Sequence, residues 1–359
     1  MRNAAILVLL GAIFCGETLS YWWKFTRLLS MESGLASKRL TSRDFCSHFQ
    51  WMNRPQIRKC RENPKAVMIV GQGTYNGLQE CQLQFKDYRW NCTGQRNSWR
   101  LFEKMNKKRT KETSFLSAIA SASAALALAK ACSLGSLKKC GCGQRNYLYE
   151  EATISEKDLF PWKGCQSHII YGLTYSRYFL DPMSERRRQR SLRKLIGKQN
   201  NAAGREIYKS KLKPVCRCHG ATGSCVTKAC WQPLPNLYDI GSRLRDKYKT
   251  AVEVRLNRRK VKLRSKRNKK YRIQPDDLVY SDSSPDFCEP NKDYGTPGTH
   301  GRLCNKTGDG LDRCSILCCG RGYDTFVLRK TFRCHCKFKW CCSVQCEDCT
   351  EERIEYRCK

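Results

Sequence analysis

Twelve cysteines fall within the 71 residues from Cys288 to Cys358, at the end of this 359-residue chain. A segment with a cysteine about every six residues buries too little apolar surface to hold itself together, so it must be a disulfide framework. Disulfides persist in the secretory pathway and outside the cell, which sets the compartment. Each bridge typically adds about 2–4 kcal/mol through the unfolded state. Reduction is therefore expected to unfold this end first.

The start of the chain reads as a secretory leader over residues 1–20. Arg2 gives a positive flank, Ala4 to Phe14 an apolar run shorter than a membrane span, and Gly16 to Ser20 a cleavage zone of mostly small or polar residues. The mature chain is expected to begin near Tyr21. Loss of Cys15 with the leader leaves 24 of the 25 cysteines, an even number that allows full pairing without giving the connectivity.

The formal charge of +36 favours an anionic polymer or surface as partner. In a secreted chain that means sulfated glycans before nucleic acid. Basic residues concentrate at Arg186, Arg187 and Arg188, and again between Arg255 and Arg272, where Arg258, Arg259, Lys260, Lys266, Arg267, Lys269 and Lys270 lie. A solvated linker and a glycan site are both consistent with such runs.

The expected class is α+β and disulfide-rich. Residues 21–250 read as a helical-bundle domain carrying a long cross-linked hairpin, 251–280 as a basic linker or hairpin, and 281–359 as a small cystine-rich β-hairpin domain. Thr113 to Ala131 is the strongest helix, dominated by alanine and serine, and suits close packing inside a bundle better than lipid. Helices are also expected over Cys165 to Phe179, Glu185 to Gly197 and Leu237 to Lys249. Alternation at Val252, Val254 and Leu256, then Val261 and Leu263, predicts two strand arms.

The sharpest local chemistry runs from Cys216 through Cys218, His219, Gly220, Ala221, Thr222, Gly223 and Ser224 to Cys225, followed by Cys230. Nesting Cys216 with Cys230 and Cys218 with Cys225 makes a cross-linked hairpin with a rigid tip. Ser224 on that tip is a nucleophile, a modification site or a turn residue, and composition alone favours the turn. Zinc at the Cys-His cluster is disfavoured in an oxidising compartment. A serine hydrolase is disfavoured because no nucleophile elbow surrounds Ser224. No phosphate-cradling glycine loop stands out.

An ordered series of motifs spans nearly the whole chain: Glu80-Cys81-Gln82, Arg89-Trp90-Asn91-Cys92, Cys140-Gly141-Cys142, Trp162-Lys163-Gly164-Cys165, Gly204-Arg205-Glu206, Cys218-His219-Gly220, Asp277-Leu278-Val279-Tyr280, Ser284-Pro285-Asp286-Phe287-Cys288 and Leu317-Cys318-Cys319-Gly320-Arg321-Gly322-Tyr323. In that series the chain resembles the Wnt family of secreted, lipid-modified signalling glycoproteins. The resemblance implies a palmitoleate ester on Ser224, attached by a membrane-bound acyltransferase. Thr222 departs from the family's usual serine. A C16 chain gains roughly ten kcal/mol on full burial, at about 0.8 kcal/mol per methylene, before association costs.

By the same resemblance, the thumb hairpin (His219, Gly220, Thr222, Gly223, Ser224) and an index-finger hairpin hold the cysteine-rich domain of Frizzled between them. The finger's contact residues are Phe338, Lys339, Trp340, Cys341, Cys342 and Val344. Aromatics on a preorganised tip suit a binding hot spot. The finger bridges implied are Cys334 with Cys349, Cys336 with Cys346, and Cys341 with adjacent Cys342. Elsewhere they are Cys81 with Cys92, Cys132 with Cys140, Cys142 with Cys165, Cys288 with Cys319, Cys304 with Cys314 and Cys318 with Cys358, which leaves Cys46 with Cys60.

Sequons at Asn91 and Asn305 are candidate glycosylation sites. The resemblance further implies a lipid-carrier membrane protein during secretion, a co-receptor of the lipoprotein-receptor-related type, heparan sulfate, and peripheral membrane association through the acyl group. No catalysis, metal, nucleic acid or cofactor is expected beyond that covalent lipid. The alternative is an unlipidated heparan-sulfate-binding matrix protein or receptor antagonist on the same scaffold.

Overall fold

A computed structural model describes residues 45–46, 52, 54–93, 108–137, 140, 167–181, 191–225, 228–257, 262–291 and 294–359. The leader, Cys142, Cys165, Arg186, Arg187, Arg188, Arg258, Arg259 and Lys260 lie outside these residues. The chain divides into two compact units, Met1–Gln84 with Phe102–Ser284, and Phe85–Leu101 with Pro285–Lys359.

The first unit contains helices α1 (Arg54–Glu62), α2 (Pro64–Gln84), α3 (Lys111–Ser133), α4 (Ser167–Leu180), α5 (Leu192–Ser210) and α6 (Leu237–Lys249). Between α5 and α6 stand strands β1 (Val215–Cys218) and β2 (Lys228–Trp231). After α6 come β3 (Val252–Asn257), β4 (Lys262–Ser265) and β5 (Val279–Tyr280). Alanine and serine make α3 narrow, and it is buried from Glu112 through Ala125. That helix is long and apolar enough to cross a membrane, yet it is the core of the bundle. Leu134 ends it, and Gly135 follows at φ +69, its N–H on Cys132 O while the N–H of Ser136 reaches Ala131 O. This is a Schellman stop, which glycine makes without steric cost.

Sequence periodicity did not single out α2, because Gly71, Gly73 and Gly77 weaken its helical signal. Packing explains Gly73 and Gly77. A Cβ on Gly73 would stand 2.7 Å from Ala124 Cα, and one on Gly204 of α5 would enter the Ala118 backbone. These glycines let neighbouring helices approach α3 at backbone distance. Pro64 opens α2, and Asn63 caps it by accepting from the Ala66 N–H.

The helix expected over Glu185 to Gly197 is corrected at its far end. Described from Ser191, which accepts from the Lys194 N–H as N-cap, α5 continues through the buried Gly197 to Ser210. Helix α4 stacks Tyr171 on Tyr175 at 5.7 Å and Tyr175 on Phe179 at 5.8 Å, aligning an aromatic stripe along one face.

The segment 251–280 belongs to the first unit, which corrects the domain boundary placed at residue 250. Strand β3 pairs antiparallel with β4, Leu256 opposite Leu263, and parallel with β5. Val254 and Val279 close over Ile196 of α5, and the buried Asn200 amide exchanges two hydrogen bonds with Val279. A second tie runs to α6, where Lys247 pairs with Asp276 at 2.8 Å and Asp277 at 3.2 Å. Burial alone would lower the Lys247 pKa, but those two carboxylates outweigh it and raise it. Tyr271 donates to Asp277 at 2.6 Å, and its phenol is pushed up to about 12 by that bond first and by burial second.

The second unit also holds the segment from Phe85, which the sequence reading placed with the helices. Arg302 donates to the carbonyls of Lys86, Tyr88 and Arg89, and Trp90 lies between Phe85 at 5.0 Å and Phe287 at 6.4 Å. Strand β6 (Leu303–Cys304), the short helix α7 (Cys314–Leu317), and strands β7 (Tyr323–Lys339) and β8 (Ser343–Cys358) form the rest, in sheet order β6-β8-β7. The small core of Cys314, Leu317, Cys318 and Cys358 is packed by Tyr323 and Tyr356. Its sulfurs are bridged as Cys304–Cys314 and Cys318–Cys358, with Cys288–Cys319 beside them.

Candidate functional site

Strands β1 and β2 form the stem of the first hairpin, with Cys216 opposite Cys230 and Cys218 opposite Lys228. Cys216 is disulfide-bonded, and Cys218 is bridged to Cys225 across the base of the tip. With those sulfurs in disulfides, they offer no thiolate to a metal. Arg217 lies over the Trp231 ring at 5.6 Å and stiffens the stem from outside.

The tip is a tight 3-10 turn over Ala221–Gly223. Gly223 donates to Gly220 O at 3.0 Å, and Gly220 donates to Ser224 O at 2.8 Å. Thr222 sits at φ 59 and Gly223 at φ 81. A β-branched residue at positive φ is strained, and the flanking disulfide and hydrogen bonds hold it there. Gly220 has no room for a Cβ, which would strike the Ser224 side chain. His219, Thr222, Gly223 and Ser224 are exposed. Ser224 is thus an exposed residue on a fixed backbone, with its Oγ beside Gly220. Among the described residues no histidine or carboxylate is shown hydrogen-bonded to it.

The second hairpin is the far end of the β7–β8 ribbon. Bridges Cys334–Cys349 and Cys336–Cys346 cross it, flanking an irregularity between Cys334 and Lys337 where His335 takes φ 46. Beyond it Phe338 pairs with Val344 and Lys339 with Ser343, which leaves Trp340, Cys341 and Cys342 as the turn. Phe338 is 70%, Trp340 93% and Val344 60% exposed, so these side chains have no core beneath them.

The expected Cys341–Cys342 bridge is corrected, since both are exposed free thiols. Adjacent Cα atoms across a trans peptide lie about 3.8 Å apart, below the usual span of a disulfide. Here the two residues instead take φ 76 and φ 78 to turn the chain.

Elsewhere the structure has bridges Cys46–Cys60 and Cys132–Cys140, and Cys81 and Cys92 are disulfide-bonded. Of the basic candidates, Lys266 pairs with Glu253 at 2.5 Å and Arg267 approaches it at 3.8 Å, whereas Lys269 and Lys270 are exposed. Glu253 thus offsets part of that patch. Asn305 is exposed, with Oδ1 accepting from the Thr307 and Gly308 N–H groups, while Asn91 is half-buried. Sequence reasoning overlooked the exposed apolar side chains Phe326, Leu328 and Phe332 on β7; their spacing of two or four residues was the available signal.

The model of the Wnt family matches residues 48–359 of this chain. Protein Wnt-5b of Ambystoma mexicanum is 38% identical over 322 residues, covering 88% of this chain and 87% of that protein. Among solved structures, a chain of human WLS in complex with WNT8A matches with a TM-score of 0.59 and 30% identity, covering 82% of this chain and 94% of that one. That match shares the helical N-terminal region and the small β-hairpin C-terminal region. On the extent of these matches, the chain belongs to the Wnt family, whose members are secreted signalling ligands rather than enzymes and need no cofactor.

Proposed function

We propose that this chain is a lipid-modified ligand of the cysteine-rich domain of Frizzled receptors, acylated on Ser224 and completed by the aromatic tip at Phe338 and Trp340. The observation that carries the reading is the exposed Ser224 on a tip locked by Cys218–Cys225 and the Gly220–Ser224 hydrogen bond. Acylation forms an ester at Ser224 Oγ as the C–S bond of an acyl thioester breaks, the hydroxyl proton passing to the departing thiolate. A rigid tip spends little conformational entropy when its lipid is buried, so most of the apolar gain appears as affinity. Lys339, Val344 and the exposed Cys341 and Cys342 extend the second contact.

The same reading includes a lipid-carrier membrane protein of the kind in the matched complex, a lipoprotein-receptor-related co-receptor, and heparan sulfate held by Lys269, Lys270 and neighbouring basic residues. The ester and the positive surface keep the secreted protein near membranes. Mass spectrometry of the peptide spanning Ser224, from protein secreted by cells with the acyltransferase intact, tests it. The expected result is a hydroxylamine-labile C16 monounsaturated adduct. Active secreted protein with unmodified Ser224 would overturn it and favour an unlipidated ligand or antagonist.

A further inference from the structure

The two strands of the ribbon divide its charge. β7 carries Arg329, Lys330, Arg333, Lys337 and Lys339 against Asp324 alone. β8 carries Glu347, Asp348, Glu351, Glu352 and Glu355 against Arg353 and Arg357. In a chain of net charge +36, an acidic strand of this density stands apart. Within the ribbon the register sets Arg329 opposite Glu352, Lys330 opposite Glu351 and Arg333 near Glu347, opposite Asp348, and Arg329 bonds Glu352 at 2.7 Å.

Among the described residues of its unit, no strand pairs with the outer edge of β7, and that of β8 is paired only at one end. β7 is the last strand of its sheet, and β6 covers β8 only at Tyr356 and Arg357. Phe326, Val327, Leu328, Phe332 and Ile354 are exposed along the ribbon. An open edge with exposed apolar side chains is a template for another strand, and natural sheets block such edges with charge. Here the charge blocks only like edges. β7 against β7 opposes basic residues, and β8 against β8 opposes acidic ones. β7 against β8 of a second copy repeats the pairing that the ribbon already makes within itself.

We propose that ribbons of two copies of this chain pair edge to edge, β7 of one antiparallel to β8 of the next. The basic row Arg329, Lys330 and Arg333 then meets the acidic row Glu347, Glu351 and Glu352 of the second copy, and the apolar residues continue across the seam. The contact is heterologous. Each added copy leaves one basic and one acidic edge free, so association extends as an open chain or closes into a ring. Because the charged rows are solvent-exposed, salt weakens it. The contact is independent of the acyl group.

Sedimentation velocity of the full secreted chain carrying Ser224→Ala tests this, because lipid-driven micelles then make no contribution. The parent is expected to associate with rising concentration and to dissociate as salt is raised. Arg329→Glu with Lys330→Glu sets acid against acid at the centre of the seam and removes the basic excess of β7, and Glu351→Lys with Glu352→Lys sets base against base there and removes the acidic excess of β8. Each pair is expected to weaken self-association by about tenfold. An equimolar mixture of the two double variants is expected to recover it. The fourfold exchange, which preserves opposite charges across the ribbon, is expected to associate like the parent. A parent that stays monomeric to its solubility limit, association unchanged in both double variants, or loss in the fourfold exchange would each overturn the proposal.

Discussion

Arg205 of α5 and Asp181 at the end of α4 form a mostly buried ion pair, with Nη2 to Oδ2 at 2.8 Å and Nη1 to Oδ1 at 2.9 Å. Nη1 also donates to Ser121 Oγ of α3 at 2.7 Å, and Asn201 donates to Asp181. Three helices therefore meet on one guanidinium. Arg205→Ala leaves the mostly buried Asp181 without its counter-charge, at an expected cost of about 3 kcal/mol. Urea unfolding of the secreted variant should show that loss. Arg205→Lys should recover only part of it, because an ammonium lacks the bidentate fork.

Close approach between α2 and α3 rests on the absence of a side chain. The Cβ added by Gly73→Ala would meet Ala124 Cα at 2.7 Å and Ser123 O at 2.8 Å, both main-chain atoms that cannot swing aside. The helices must part, at about 1–3 kcal/mol. A fall in thermal midpoint and in secreted yield is the expected outcome, although alanine is the better helix former.

Trp340 separates binding from folding. At 93% exposure it contributes no core contact, so Trp340→Ala should leave stability within about 0.5 kcal/mol. If the tip is a receptor hot spot, affinity for the cysteine-rich domain should fall by at least 2 kcal/mol, about 30-fold. Surface plasmon resonance on Trp340→Ala and Ser224→Ala, alone and combined, would show whether the two contacts act independently.

Glu80 of α2 is buried beside Gln84 and Gly241, and burial raises its pKa more than the Gln84 hydrogen bond lowers it. A carboxyl raised on folding binds more protons in the native state than in the unfolded one. Its contribution therefore favours folding at low pH and is lost as pH rises from the unfolded value through the raised one. Glu80→Gln keeps an acceptor for Gln84 and removes the buried charge. The variant should melt above the parent at pH 7, and the gap should close below the ordinary carboxylate range.

The hairpin around Ser224 was legible along the chain. The cysteine spacing around Ser224 fixes a nested hairpin because its partners are near in sequence. Alternation at Val252, Val254 and Leu256 shows a strand arm because one face must be buried. Helix α2 was not legible, since glycine reads as a breaker until its neighbour is known. The extension of α5 past Gly197 was hidden for the same reason.

Cysteine density, charge and the ordered motifs by themselves determined the compartment, the fold class and the family, because each is a property of residue type and spacing. Only tertiary structure decided that 251–280 joins the helices through Val254, Val279 and Lys247, and that Arg205 finds Asp181. It also decided that Phe326, Leu328 and Phe332 stand in solvent on an open strand edge. Those outcomes depend on which surfaces meet across the fold, and a pattern along one chain carries no record of the partner.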